Sequence, residues 1–299
     1  MLIVRLGEGV DATGRLGDAA LVRTWAACAE YGAVLERLRP DRLRFVATSA
    51  SRDAANARVF TAGVRERLGV DPEVVSGAEE AQLSFTGALA GFAGPSGSDG
   101  LSGGGGLSGP VLVVDIGGGS TEFVLGRVGD GSVGDGSVGD GSPVGVSVDI
   151  GCVRLTERVL SGDPPDAASL AAASRLVDEA IDRAARTVQL ADARTLVGLA
   201  GSVTSIAAAV LDLPGYDGAR IHHARLPADR VHEVAGALLS MTRAERSRLP
   251  WLHPGRVDVI GAGALVLDRV LARVRATLDV PEVVVSEQDI LDGIALSLL

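Results

Sequence analysis

The 299-residue chain contains no lysine, so all 28 of its basic residues are arginine. That excludes Walker-type NTPases, whose glycine loop ends in Gly-Lys-Ser/Thr, together with Schiff-base and pyridoxal chemistry, which need a lysine amine. Cysteine is limited to Cys28 and Cys152. With no CxxC or metal-ligand spacing, they read as buried thiols rather than a disulfide or a redox pair. Aromatic residues make up only 3% of a chain that is 46% hydrophobic. The core must therefore be built from Ala, Val, Leu and Ile, which suits an α/β protein. No apolar run approaches the ~20 residues of a membrane span, and the N-terminus has no charged, apolar, small-residue export signal. A cytoplasmic protein with no membrane association is expected. Positive charge is in deficit, with a formal net charge of −10. This argues against non-specific binding to nucleic acid or anionic lipid, and an anionic substrate would need arginines placed locally.

The most informative stretch runs from Val111 to Leu125, Val-Leu-Val-Val-Asp-Ile-Gly-Gly-Gly-Ser-Thr-Glu-Phe-Val-Leu. Val111 to Ile116 is a continuous β-branched run, as in a buried strand, and Phe123 to Val128 reads as a strand returning. Between them Gly117, Gly118 and Gly119 permit backbone conformations in which successive N–H groups point into one concavity, a nest for phosphate oxygens. Ser120 and Thr121 add hydroxyl donors. Asp115 and Glu122, one at each rim, are hard oxygen ligands suited to a divalent cation. The stretch differs from a dinucleotide fingerprint, which opens a helix rather than a second strand.

Elsewhere strands and helices alternate, which predicts an α/β fold. Helical spacing covers residues 18–39, 53–68, 78–92 and 167–190. Strands are expected at 44–48, 73–76, 195–199 and 283–286, and a last helix starts at Asp289. The strand at 195–199 enters Ala200-Gly-Ser-Val-Thr-Ser205, a turn that would offer backbone N–H groups and a helix N-terminus to an anion, through Gly201, Ser202 and Thr204. Two tracts are of low complexity. Gly94 to Pro110 is almost wholly Gly, Ser and Pro, and places a domain boundary between residues 1–105 and 106–299. The repeated Gly-Asp-Gly-Ser-Val from Gly129 to Ser142 lies between two strand-like runs and reads as a lengthened hairpin tip. A repeat-in-toxin calcium array is disfavoured there by its period of five and short length.

Six segments in order resemble the exopolyphosphatase and guanosine pentaphosphate phosphohydrolase (Ppx/GppA) family of the actin-like ATPase superfamily. They are Ala47-Thr-Ser-Ala-Ser-Arg-Asp-Ala-Ala-Asn56, Ser76-Gly-Ala-Glu-Glu-Ala81, Val114 to Glu122, Asp149-Ile-Gly-Cys-Val-Arg-Leu-Thr-Glu157, Gly198-Leu-Ala-Gly-Ser-Val-Thr204 and Arg256-Val-Asp-Val-Ile-Gly-Ala-Gly-Ala264. The chain is most similar to the short, two-domain actinobacterial type. The resemblance implies two ribonuclease-H-like α/β domains around a cleft lined by phosphate loops, with the last helix packing back on the first domain. It further implies Mg2+ as cofactor, held by Asp115 and Glu122, and polyphosphate or guanosine pentaphosphate as substrate. A homodimer is expected, with no nucleic-acid partner. Glu80 matches the family's catalytic base, assisted by Glu122. Crowding by Glu79, Glu122 and Asp115 is expected to raise the Glu80 pKa towards neutrality. Arg52 matches a phosphate-contacting arginine whose planar fork can hold two oxygens. Arg5 is a weaker candidate of the same kind, and His222 and His223 are left out of the site.

Two departures from the family pattern stand out. Leu291 occupies a position where relatives often carry arginine. The chain also begins where relatives are already past an Asp-x-Gly-x-Asn-Ser hairpin about two dozen residues upstream, a first phosphate nest. On that basis the N-terminal domain is expected to be short of one hairpin, and the chain alone to be poorly soluble or weakly active. Three functions compete. The leading one is Mg2+-dependent removal of the terminal phosphate of polyphosphate or of guanosine pentaphosphate. The others are a non-catalytic polyphosphate or alarmone sensor and, less favoured for want of an acceptor-sugar motif, a kinase of the same superfamily.

Overall fold

Short β-branched runs separated by amphipathic helical stretches fold here into one large mixed sheet with helices on both faces and a small second sheet. The structure is a computed structural model and describes residues 2–92, 107, 109–127, 142–276 and 282–299. A turn of helix, α1 (Val10–Thr13), precedes α2 (Asp18–Leu38). Strand β1 (Val46–Ala47) then leads through α3 (Ser49–Asp53) and α4 (Ala57–Leu68) to β2 (Glu73–Val74) and α5 (Gly77–Ala90). Strands β3 (Pro110–Ile116), β4 (Thr121–Arg127) and β5 (Val144–Val148) follow, then α6 (Cys152–Val159), α7 (Ala167–Ala184), β6 (Thr195–Leu199) and α8 (Ala200–Val210). The chain ends with α9 (Gly218–Ile221), β7 (Arg225–Pro227), α10 (Ala228–Ser240), α11 (Arg243–Arg246), α12 (Ile260–Arg275), β8 (Glu282–Val285) and α13 (Ile290–Leu296).

The large sheet has the order β5-β4-β3-β6-β8-β7. Strands β3, β4 and β5 form an antiparallel meander, and β6 and β8 extend it in parallel with β3. This is the ribonuclease-H-like arrangement expected for the second half of the chain. Near its start, among the described residues, the chain contributes the two-stranded parallel pair β1-β2, with its own core of Val10, Leu16, Leu21, Cys28, Phe60 and Val64. The tract between β4 and β5 falls largely outside the described residues, as does most of the Gly/Ser/Pro tract before β3.

Two expected helices differ in detail. The one over 53–68 is split, because Asn56 accepts the Leu16 N–H (2.7 Å) and donates back to the Leu16 carbonyl (2.9 Å), which holds the chain extended at Ala54. The one over 167–190 stops at Ala184, whose carbonyl accepts from both Thr187 and Val188 N–H groups. That tighter turn sends Val188 and Leu190 into the core.

Alternation along β3 sets the two faces of the sheet. Leu112, Val114 and Ile116 face the main core with helices α7, α8, α10 and α12. Val111 and Val113 face the other way and pack with Ala81, Phe85, Ala88 and Leu89 of α5. Burying Phe85 and Leu89 there contributes about 3–6 kcal/mol of transfer free energy. Helix α5 thus lies on the large sheet although the chain reaches it before the Gly/Ser/Pro tract. Glycines bring it close: a Cβ on Gly126 would strike the Phe85 ring, and one on Gly145 would come within 3.0 Å of Ala81 Cβ. Helix α13 crosses α5 at backbone contact, since a Cβ on Gly87 would overlap the Asp289 carbonyl and one on Gly293 the Leu83 carbonyl.

Candidate active site

Asp115 continues the α5-facing register of Val111 and Val113. Its antiparallel partner across the hairpin is Glu122. The two acids seven residues apart in sequence are therefore side by side on the face that α5 covers. From α5, Glu80 and Ser84 approach the same place, four residues apart on one helix face. The Ser84 hydroxyl donates to Asp115 Oδ2 (2.7 Å), and the Ser147 hydroxyl on β5 donates to Glu122 Oε1 (2.6 Å). Gly77 is needed at the start of α5, where a Cβ would come within 2.8 Å of Ser147 Cβ.

Between the acids the turn Gly117–Ser120 closes with a Gly117 N–H to Ser120 carbonyl bond of 3.0 Å. Its carbonyls are tied to α6. Gly117 accepts from the Cys152 N–H, Gly118 from the N–H groups of Val153 and Arg154, and Gly119 from Arg154 Nε at 2.8 Å. In a trans peptide the N–H points opposite to the carbonyl. The N–H groups of Gly118, Gly119 and Ser120 are thus turned away from α6, as an anion nest requires. Gly151 makes the approach possible, because a Cβ there would strike the Gly118 carbonyl.

The turn opens on a cavity of about 230 Å³ lined also by Arg5, Asp11, Thr48, Ser49, Glu80, Arg154 and Glu157. Glu80 is buried, with only 6% of its surface exposed, and Arg52 Nη1 donates to its Oε2 at 2.9 Å. Burial pushes its carboxyl above the ordinary value against the pull of Arg52. The direction is the expected one, but its cause is burial and not crowding by Glu79, Glu122 and Asp115, and Glu79 turns outwards to Arg44 Nη2 (2.7 Å). Neighbouring residues on a helix point about 100° apart, so two adjacent acids do not share a site. Burial also raises Asp115, to about 7, with Asp289 and Glu80 adding repulsion. Glu122 is pushed well up by burial, and Asp115 and Glu80 add to the effect.

Among the described residues no three His, Cys, Asp or Glu side chains form a ready-made metal cage. The donor set nevertheless fits Mg2+, which takes one or two carboxylates and completes its shell with water and substrate phosphate. Buried acids that raise one another's pKa would be relieved by one cation. Asp115 and Glu122 are the pair that could hold it.

The second expected anion turn lies next to the first. A cavity of about 210 Å³ is lined by Gly117, Gly118, Ala200, Gly201, Ser202, Cys152 and Arg256, with Arg5 common to both cavities. Ala200, at the strand-to-helix turn, has φ 68°, a strained conformation for a residue with a side chain. The Arg256 guanidinium lies over Gly201, where a Cβ would strike it, and Nη1 donates to Ser205 Oγ at 3.4 Å. Arg5 donates to the Gly255 carbonyl (2.8 Å) and pairs with Asp258 (3.1 Å).

The fold therefore sets Glu80, the three glycines, Gly201 and Ser202 along two adjoining cavities, with Asp115 and Glu122 buried at the base of the glycine hairpin under α5. Three candidate hydroxyls already have partners. The Thr121 hydroxyl donates to the Ile150 carbonyl (2.6 Å), Thr204 stands against the Tyr216 phenol, and the Ser120 hydroxyl bonds to Glu122. Arg52 reaches the site through Glu80 and the Val75 carbonyl (2.7 Å). Sequence reasoning passed over Ser84, Ser147, Asp289 and Arg154. Only Ser84 carried a usable signal, a polar residue one helical turn after Glu80 in an otherwise apolar face.

Among the described residues no helix is long and apolar enough to cross a membrane. The sequence matches the Ppx/GppA phosphatase family over residues 2–298. It is 46% identical over 301 aligned positions to exopolyphosphatase 2 of Mycobacterium tuberculosis, covering 99% of this chain and 87% of that protein. It is 30% identical to a guanosine-5'-triphosphate,3'-diphosphate pyrophosphatase of Photobacterium profundum over 68% of this chain and 36% of that protein. Among solved structures, an exopolyphosphatase-like protein superposes with a TM-score of 0.88 at 42% identity, over 99% of this chain and 89% of that one. The Ppx/GppA family member of Aquifex aeolicus gives 0.70 at 26% identity, over 99% and 86%. The two-domain, actin-like fold, the glycine hairpin with its paired acids and the match along nearly the whole chain agree: the protein belongs to the Ppx/GppA phosphatase family.

Proposed function

We propose that the protein is a cytoplasmic, Mg2+-dependent exopolyphosphatase that hydrolyses the terminal phosphate of inorganic polyphosphate, the 5′ γ-phosphate of guanosine pentaphosphate, or both. One observation carries this reading: the buried Glu80 carboxyl, with its raised pKa, opens onto the same cavity as the N–H groups of the Gly117–Ser120 turn. A phosphoryl group seated on the turn would share its cavity with a carboxyl that burial makes more basic than an ordinary glutamate. Phosphoryl transfer asks a protein mainly for position and charge neutralisation. The turn N–H groups receive the phosphate oxygens, and Arg52 fixes the Glu80 carboxylate by one charge-assisted bond. Glu80 takes the proton of the attacking water as the new bond to phosphorus forms and the bridging oxygen leaves with the shortened chain. Bound to Asp115 and Glu122, Mg2+ would neutralise charge on the phosphates. Cys28 and Cys152, buried and unpaired, suit a reducing compartment.

Orthophosphate release from polyphosphate and from guanosine pentaphosphate, with and without Mg2+, tests this directly. Glu80→Gln keeps the shape and the Arg52 contact but cannot accept the proton, and should lower turnover by about 10²–10⁴-fold with little change in binding. Unchanged turnover would remove Glu80 from the chemistry. Binding of both substrates without any phosphate release by the wild type would overturn the enzyme reading.

A further inference from the structure

The loop that carries α1 reaches over the cavity and is tied to α6 by a charge network that the reading above does not use. Asp11 accepts from Arg154 Nη1 at 2.8 Å and from Arg158 Nη2 at 2.5 Å, and its second oxygen pairs with Arg158 Nε. Glu157 accepts the Gly9 N–H at 3.1 Å. Arg154 has a second attachment, Nε to the Gly119 carbonyl, and its Nη2 lies 3.9 Å from Asp149 Oδ1. Its side chain is only 12% exposed, and it lines the cavity together with Gly117–Ser120 and Glu80. Anchored to the Gly119 carbonyl, Arg154 holds its guanidinium at the wall of the same cavity that the glycine turn and Glu80 line.

The group now on that guanidinium is a carboxylate. Carboxylate and phosphate oxygens accept from a guanidinium in the same way, and Arg favours either over a neutral partner. Arg158 bonds to the same carboxylate and leaves Asp11 a partner if Arg154 is taken from it. Two arginines pull the Asp11 carboxyl below the ordinary value, with the Arg158 hydrogen bond first among the causes, so it stays ionised as a competitor.

We propose that Arg154 is a substrate-binding residue of the cleft, and that Asp11 occupies its guanidinium as an internal anion until a phosphate of the substrate displaces it. The proposal rests on the polyphosphatase reading and names a residue and a competitor beyond it. Displacement would move the charge of Arg154 from α1 to the substrate while Arg158 keeps Asp11.

Calorimetric binding of tripolyphosphate to the full chain, with KM and kcat for polyphosphate alongside, tests it through Asp11→Asn, Arg154→Gln and the double variant. Asp11→Asn should bind tripolyphosphate about three- to tenfold tighter and lower KM with kcat nearly unchanged, the effect of removing one competing hydrogen bond of ordinary net strength. Arg154→Gln should weaken binding about ten- to hundredfold, as expected for losing a charged partner. The double variant should bind no tighter than Arg154→Gln alone. Binding by Asp11→Asn that is equal to or weaker than wild type would make the contact a fixed strut and overturn the proposal. An Asp11→Asn gain of the same size in the Arg154→Gln background would trace it to general charge and also overturn it. If the wild type neither binds tripolyphosphate nor releases phosphate, the polyphosphatase reading fails and takes this proposal with it. If it does both while Asp11→Asn shows no gain, this proposal alone fails.

Discussion

Replacing Asp115 by asparagine should stabilise the cation-free protein at alkaline pH. In the folded chain Asp115 keeps its proton up to about pH 7, against an ordinary value of 3.8. The folded state therefore binds more protons than the unfolded state between those two pH values. The stability contributed by the protonated carboxyl is fully present below pH 3.8 and is lost as pH rises through about 7. At about 1.4 kcal/mol per pH unit, the whole interval is worth about 4 kcal/mol, and the part between pH 5 and pH 8.5 about 3 kcal/mol. Asparagine keeps an oxygen to accept from the Ser84 hydroxyl and carries no charge at any pH. Its amide also removes a repulsive neighbour of Glu122, whose raised carboxyl slopes the same way. Urea titrations in the presence of a chelator at pH 5 and pH 8.5 measure the effect. The wild type should lose about 3 kcal/mol more than Asp115→Asn between the two pH values, with the variant the more stable at pH 8.5. Parallel losses in the two proteins, or a variant less stable than wild type at pH 8.5, would refute the assignment of a buried, protonatable Asp115.

Two further expectations concern packing and the cation. Gly293→Ala places a Cβ against the Leu83 carbonyl and should cost about 1–3 kcal/mol by forcing α13 off α5, whereas Gly236→Ala, with open space around its Cβ in α10, should add about 0.5–1 kcal/mol. Thermal melts of both variants check the contrast, and equal shifts would contradict the packing argument. Glu122→Gln should raise the Mg2+ concentration needed for half-maximal phosphate release, since an amide is a weaker cation ligand than a carboxylate. A superimposable titration would place Glu122 outside the cation shell.

What the sequence disclosed about the site follows from how locally each part is encoded. Asp115 and Glu122 were legible because a hairpin of known turn length sets which residues oppose one another, and period-two alternation sets the face. Glu80 was not legible as a buried acid from local pattern alone. A helix start bearing Glu79 and Glu80 looks like two exposed residues near a dipole, and only the tertiary contact with the sheet separates them: one pairs with Arg44 at the surface, the other is covered. Ser147 and Asp289 join the site from β5 and the start of α13, far along the chain. No local period announces such convergence. Arg154 was hidden differently, inside a helix of family-like sequence whose first turn is given over to the carbonyls of the glycine turn. The split of the helix expected at 53–68 has the same origin, since Asn56 answers to Leu16, forty residues earlier.

The arrangement resolves an electrostatic conflict that composition poses, namely how a chain of net charge −10 with a cluster of acids at its centre can receive a polyanion. Charge of the two signs is kept apart. Asp115 and Glu122 are buried under α5, where burial favours their protonated forms and the serine hydroxyls of residues 84 and 147 hold them. Arg5, Arg154 and Arg256 line the cavities. Each is fixed by a contact to the chain: Arg5 by the Gly255 carbonyl, Arg154 by the Gly119 carbonyl, and Arg256 by its seat over Gly201. The glycine turn adds peptide N–H groups, which carry partial positive charge and no counterion. Such a face would attract phosphate without any net positive charge on the protein. It also explains why arginine suits these positions better than lysine. A guanidinium can spend one edge on a backbone carbonyl and present another to an anion, and Arg154 does both at once, whereas a single ammonium has no fixed second edge to offer.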